Sequence, residues 1–100
     1  MVSASVSDDD RLISVCRALA HPVRLAIVRY VQRHPRCIGN QIQLHLPAPL
    51  ARAQSTLSQH LKILCASGVL RAESEGPATC YVIDQAQLDW LCQQLGTLRD

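Results

Sequence analysis

One hundred residues suffice for one small domain with a single core and are too few for two. Apolar residues make up 48% of the chain and aromatic ones only 3%, so the interior is expected to be packed with Leu, Ile, Val and Ala, and a domain this small often completes its core by dimerising. The net charge of +2 is unevenly spread: nine Lys or Arg and no Asp or Glu lie between Arg11 and Ala72, while the acids are confined to Asp8 to Asp10 and to the region from Glu73 onward. An acid-free basic block of this length suits a polyanionic partner. Five cysteines, an odd number with no C-x-x-C spacing, exclude a secreted disulfide framework. No run approaches the roughly 20 apolar residues of a membrane span, and the first residues lack the charged and apolar regions of a secretion signal, so a cytoplasmic protein without a membrane partner is expected.

Residues 1–7 are small and polar and are expected to be disordered, leaving 8–100 as the single domain. Asp8 to Asp10 offer a cap and favourable charge for a first helix reaching about Ala20, with Leu12, Val15, Cys16 and Leu19 on its apolar stripe. Pro22 fits a first helical position, and a second helix is expected to run to about Arg33, burying Leu25, Val28 and Val31 before His34-Pro35 ends it. A third helix from about Cys37 to His45 would give Ile38, Ile42 and Leu46 to the core, after which Pro47-Ala48-Pro49 breaks the chain.

The stretch from Ala53 to Gly68 carries the most informative pattern. At helical spacing Leu57, Leu61 and Leu64 form a core stripe, and Ser55, Ser58, Gln59 and Lys62 form the opposite face. That face offers hydroxyls, an amide and an ammonium, with no carboxylate to repel phosphate. Two helices joined by a turn, the second with such a face, make a helix-turn-helix pattern. Gly68 suits the helix C-terminus, and Val69 to Glu75 with Ala78 to Ile83 flank Gly76-Pro77 as a two-stranded hairpin, a wing beside the recognition helix. Asp84 can cap a last helix in which Leu88, Leu91, Cys92 and Leu95 share one side. The expected fold is therefore mostly α with a small β-hairpin: a winged helix-turn-helix of about five helices and a two-stranded wing. The first and last helices are the candidates to pair across a two-fold axis.

This pattern assigns Gln54, Ser55, Ser58 and Gln59 to base edges, Thr56 and Lys62 to phosphate, and Arg71 to the backbone from the wing. His60 lies at the edge of the buried stripe, where a bond to backbone and a contact to a base remain alternatives. The expected partner is double-stranded DNA with an inverted-repeat operator, bound by a homodimer. The alternative is a winged-helix protein-interaction module that binds no DNA, against which the basic block and the scarcity of aromatics argue. An enzyme is not expected: there is no Gly-rich phosphate loop and no nucleophile with a base, Ser58 and His60 facing different directions at a spacing of two.

Two segments, Ala18-Leu19-Ala20-His21-Pro22-Val23-Arg24-Leu25-Ala26-Ile27-Val28 and Gln54-Ser55-Thr56-Leu57-Ser58-Gln59-His60-Leu61-Lys62-Ile63-Leu64, together with the Gly76 to Tyr81 hairpin, resemble the ArsR/SmtB-type winged-helix repressors. The resemblance runs from about Leu12 to Ile83. It implies a homodimeric repressor that leaves its operator when an effector binds or a thiol is modified, with Gln54 to Lys62 in the major groove and Arg71 to Thr79 near the backbone or minor groove. The chain departs from the family in a longer connection over Pro47 to Arg52. It also carries only Cys37, with Gly39 nearby, where arsenic- and cadmium-type members have two cysteines, and it has no histidine on Asp84 to Asp100 for the zinc-type site.

Three sensor readings stay open, with metal and cofactor undetermined. Cys37 with Cys80, or Cys16 with Cys92, would act as a redox or persulfide pair if their α-carbons lie within about 7 Å. Cys37 would hold a thiophilic ion with Cys80 or with a cysteine of a second subunit. His34 and Cys37 would join Cys16 and His21 around zinc. Cys16, Cys65 and Cys92 read as inert core thiols, whereas Cys37, beside Arg36 in an expected exposed turn, and Cys80 are the effector candidates. A small inducer is the remaining kind of effector.

Overall fold

The first helix begins where Ser7 can cap it. The computed structural model describes residues 7–46 and 54–99, and in it the Ser7 hydroxyl accepts the Asp10 N–H at 3.1 Å. Helix α1 (Asp8–Leu19) then carries Asp8, Asp9 and Asp10 in its first turn, where the helix dipole favours them. Ser7 is thus the cap, a correction to the expectation that the aspartates supply it; residues 1–6 lie outside the described residues. Helix α2 (Pro22–Arg33) opens on Pro22 at its first turn, with His21 Nδ1 accepting the Val23 N–H at 3.1 Å.

His34 ends α2, and Arg36 takes a left-handed φ of 65° that reverses the chain. Cys37–Ile38 then form a short strand, β1, and α3 (Gly39–His45) follows, with the Ile38 N–H donating to Gln41 Oε1 at 3.0 Å. The helix expected from Cys37 therefore starts two residues later, because Cys37 and Ile38 pair with a strand far along the chain. Helix α4 (Gln54–Ala66) ends in a Schellman turn. Gly68 at φ +83° donates to the Cys65 carbonyl at 3.0 Å, and Val69 donates to that of Leu64 at 3.1 Å. Strands β2 (Leu70–Glu75) and β3 (Ala78–Ile83) form the wing around Gly76, and α5 (Gln85–Thr97) is capped by Asp84, whose carboxylate accepts the Gln87 N–H at 3.2 Å.

The sheet is three-stranded and antiparallel in the order β1-β3-β2, one strand more than expected. In β2 and β3 the pairing runs from Leu70 opposite Ile83 to Glu75 opposite Ala78, and β1 places Cys37 opposite Tyr81 and Ile38 opposite Cys80. The core draws Val15 and Ala18 from α1, Val23, Ile27, Val28 and Val31 from α2, Ile42 from α3, and Leu57, Leu61 and Leu64 from α4. Each such aliphatic side chain contributes about 1.5–3 kcal/mol by leaving water. Leu25, expected inside, is 41% exposed, because the buried stripe of α2 runs through Val23, Ile27 and Val31 at four-residue steps.

Helices α1 and α5 each bury only one side. Cys16, expected on the α1 core stripe, is exposed, as is Cys92 on α5, and Leu95 and Leu98 are 44% and 73% exposed. The buried polar residue of α5 is Gln87, whose Nε2 donates to the Ser67 carbonyl at 2.8 Å and whose Oε1 accepts from Arg11 Nε at 3.2 Å. The Arg11 guanidinium lies 3.8 Å from the centre of the Trp90 ring. One amide therefore ties α1, the end of α4 and α5 together. Among the described residues no helix is long and apolar enough to cross a membrane.

Candidate nucleic-acid interface

Helix α4 has the two sides its sequence dictates. Leu57, Leu61 and Leu64 are buried, and Thr56, Ser58, Gln59 and Lys62 are exposed. The helix backbone includes Gln54 and Ser55, but their side chains, like the connection at residues 47–53, lie outside the described residues. No carboxylate occurs on α4, so its outer face holds one positive charge and several neutral donors and acceptors.

The turn of the helix sorts this face further. Ser58, Lys62 and Cys65, at i, i+4 and i+7, run along the side nearest the sheet and line a cleft of 270 Å³ with Leu61, Ala72 and Tyr81. Gln59 is turned outward, and Thr56 lies on the side away from the wing. Ser58, grouped with Gln59 by sequence, thus occupies a different edge of the helix.

His60 points toward α2. It is half-buried, its Nδ1 lies 3.2 Å from Arg24 Nη1, and its ring centre is 4.7 Å from that of His21. The guanidinium is a donor only, so Nδ1 accepts and the ring is neutral in this arrangement. Burial pushes the imidazole below its ordinary value, and His21 and Arg24 push the same way. The same Arg24 donates to the Ala18 carbonyl at 2.7 Å and to the Arg17 carbonyl at 3.2 Å, satisfying the open end of α1. Of the two alternatives for His60, a bond to backbone or a contact to a base, the structure shows a bond to a side chain that itself holds backbone. Sequence reading gave Arg24 no role; the signal was an arginine inside His21-Pro22-Val23-Arg24, but its partner lies 36 residues away.

Arg71 is exposed on the wing and alternates to the same face of β2 as Glu73 and Glu75, opposite to the face of Leu70 and Ala72. Arg36 joins both acids, with Nη1 2.8 Å from Glu73 and Nη2 on Glu75. Exposed pairs of this kind add little stability. Their electrostatic effect is to offset one of the two negative charges that Glu73 and Glu75 would otherwise place on the wing.

The thiols separate by burial, with Cys65 on α4 between a buried and an exposed pair. Cys37, expected in an exposed turn, is 3% exposed inside the core. Its thiol is pushed up mainly by burial, against a backbone hydrogen bond that lowers it and with neighbouring Cys80 raising it. Cys80 is fully buried, and the strand register sends it to the face opposite Cys37, so a disulfide between them needs backbone movement. Cys16 and Cys92 are exposed. Among the described residues no group of three or more His, Cys, Asp or Glu lies close enough to hold a metal ion, so Cys16, His21, His34 and Cys37 do not form one.

No protein-family model matches the chain. Over 66 residues, 65% of its length, it is 46% identical to the HTH-type transcriptional repressor SmtB of Mycobacterium tuberculosis. That segment is 44% of the repressor, so the chain spans less than half the length of the curated relative it matches. An ArsR-like transcriptional regulator from Rhodococcus sp. RHA1 has a TM-score of 0.81 at 22% identity, covering 93% of this chain and 83% of that one. The homodimeric winged helix-turn-helix DNA-binding domain of a possible ArsR-family regulator from Mycobacterium bovis gives 0.67 at 22% identity, covering 95% and 90%. These two structures share the fold described above.

Proposed function

We propose that this chain is a member of the ArsR/SmtB-type winged helix-turn-helix family, similar as it is to SmtB in sequence and to an ArsR-like regulator in fold, and that it acts as a cytoplasmic, homodimeric, sequence-specific DNA-binding repressor that a thiol-directed signal or a soft metal or metalloid ion releases from an inverted-repeat operator. The observation that carries this reading is the carboxylate-free outer face of α4, standing beside a wing whose two acids are held by Arg36. In this reading Gln54, Ser55 and Gln59 meet base edges, Thr56 and Lys62 meet phosphate, and Arg71 meets backbone from the wing. His60 acts through Arg24, fixing the angle of α4 on α2.

Dimerisation is supported by the open apolar sides of α1 and α5, where Ile13, Leu95 and Leu98 stay exposed in the single chain, and by the homodimeric state of the Mycobacterium bovis domain. Pairing there would place two recognition helices in successive major grooves about 34 to 36 Å apart. The signal has two routes. Cys37 and Cys80 are reached only if β1 parts from β3, whereas Cys16 and Cys92 stand on the helices that would pair. A soft-ion site would draw ligands from both subunits.

The test is the affinity of the full chain for its own upstream DNA and for random DNA. Gln59→Ala is expected to cost about 1 to 3 kcal/mol on the specific site and relax its sequence preference, while Lys62→Ala weakens binding to all sequences and lowers the salt slope by about one. Equal losses on both DNAs for both variants would overturn these roles. Repeating the titration after mild oxidation, persulfide, arsenite or cadmium separates the signals. Absence of any DNA binding would return the protein-interaction module to the lead.

A further inference from the structure

The geometry points to the cleft between α4 and the wing as a seat for one DNA phosphate, with the Tyr81 phenol, the Ser58 hydroxyl and the Lys62 ammonium as its donors. This rests on the DNA-binding reading and deepens it: Tyr81 enters as a contact residue, and Ser58 moves from base reading to phosphate.

Three observations carry it. The cleft is lined by Ser58, Leu61, Lys62 and Cys65 of α4 and by Ala72 and Tyr81 of the sheet, so it lies where the recognition helix and the wing meet. Ser58 and Lys62 are one helical turn apart on the sheet side of α4, and both are exposed. Among the described residues no hydrogen bond or ion pair engages the Ser58 hydroxyl, the Lys62 ammonium or the Tyr81 phenol. Tyrosine hydroxyls in half-buried positions ordinarily find a partner, and here three residues that each carry a donor line one small opening.

Phosphate offers only acceptors and negative charge, which matches a wall of two hydroxyls and an ammonium without a carboxylate. Burial pushes the Cys65 thiol and the Tyr81 phenol up, with Cys65 adding to the effect on Tyr81. Both groups therefore stay protonated at neutral pH and place no anion in the cleft. The seat reads no sequence. It fixes the depth at which α4 enters the groove, from which Gln59 meets base edges.

The experiment uses the full chain and a random-sequence 30-base-pair duplex, titrated at several salt concentrations. Tyr81→Phe keeps the ring and its packing, and it is expected to weaken binding about tenfold, the worth of one hydrogen bond to a charged group. The salt slope is expected to stay unchanged, since no charge is lost, whereas Lys62→Ala lowers it by about one. If the two residues share one phosphate, Tyr81→Phe costs less in the Lys62→Ala background than in the wild type. Ser58→Ala serves as the second variant and is expected to behave like Tyr81→Phe. A thermal melt confirms that each variant is folded. If the wild type binds and Lys62→Ala weakens it, yet Tyr81→Phe and Ser58→Ala bind as the wild type, the seat is wrong and the DNA reading stands. Independent, multiplying losses for Tyr81 and Lys62 also overturn the shared seat. If the wild type binds no duplex of any sequence, the DNA reading fails and takes the seat with it.

Discussion

Gln87 Nε2 donates to the Ser67 carbonyl at 2.8 Å, joining α5 to the end of α4. Gly68, the next residue, sits at φ +83°, and a Cβ placed on it would lie 2.8 Å from that same Nε2. The amide has little room to yield, because Arg11 holds its other end. Gly68→Ala is therefore expected to lose about 2–4 kcal/mol, combining the left-handed backbone cost with a weakened buried hydrogen bond. Gly76 has φ +60° and open space around it, so Gly76→Ala loses only the backbone cost of about 1–2 kcal/mol. Urea unfolding of the two variants measures the difference, and equal losses would show that Gln87 gives way freely.

His60 makes stability depend on pH. Its folded-state value lies below the ordinary 6.5 because burial, His21 and Arg24 all disfavour the imidazolium. The unfolded chain therefore binds more protons in this window, and stability rises with pH. The contribution is complete above the ordinary value and is lost as pH falls from there through the folded-state value. Melting temperatures across that range should drop more steeply for the wild type than for His60→Gln, which keeps a side chain able to accept from Arg24. Parallel curves would mean that His60 does not titrate in this window.

In the proposed dimer the exposed apolar side of α5 is where the two subunits would meet. Leu98 is 73% exposed, so Leu98→Glu should leave the single chain as stable as before. A two-fold axis would count the change twice, and losing about 1.5–3 kcal/mol of burial per copy weakens the dimer by a hundredfold or more. Sedimentation equilibrium reads this directly. An unchanged dimer constant would place the interface elsewhere.

Thiol accessibility supplies an independent check on the same surface. A short iodoacetamide pulse, read by mass spectrometry, should label Cys16 and Cys92 rapidly in dilute protein or in Leu98→Glu, and more slowly when the wild type is concentrated. Cys37 and Cys80 are buried, and burial raises the Cys37 thiol, so they should label slowly in every case. Rapid labelling of Cys37 in the native protein would mean that β1 opens readily from β3 and that a thiol signal could act there without a larger change.

Local chemistry made much of this molecule legible in its sequence. Pro22 and His34-Pro35 bound α2, Gly68 ends the recognition helix, Gly76-Pro77 turns the wing and Asp84 caps the last helix, because each acts on its own backbone within a turn or so. The two-sided character of α4 followed from leucines at helical spacing. Longer-range relations did not follow. Cys37 and Ile38 became a strand only because β3 passes beside them, and that pairing buried a thiol expected to be exposed. Leu25 and Cys16 turned outward because neighbouring helices, not local pattern, choose which edge of an apolar stripe is covered. The contacts of Arg24 with His60, Arg36 with Glu73, and Gln87 with Arg11 and Ser67 join residues 20 to 76 positions apart. Spacing along a chain carries no signal for such pairs. Sequence therefore determined the elements and the carboxylate-free outer face of α4, and tertiary packing alone decided how that face is held and which of its polar groups stand together.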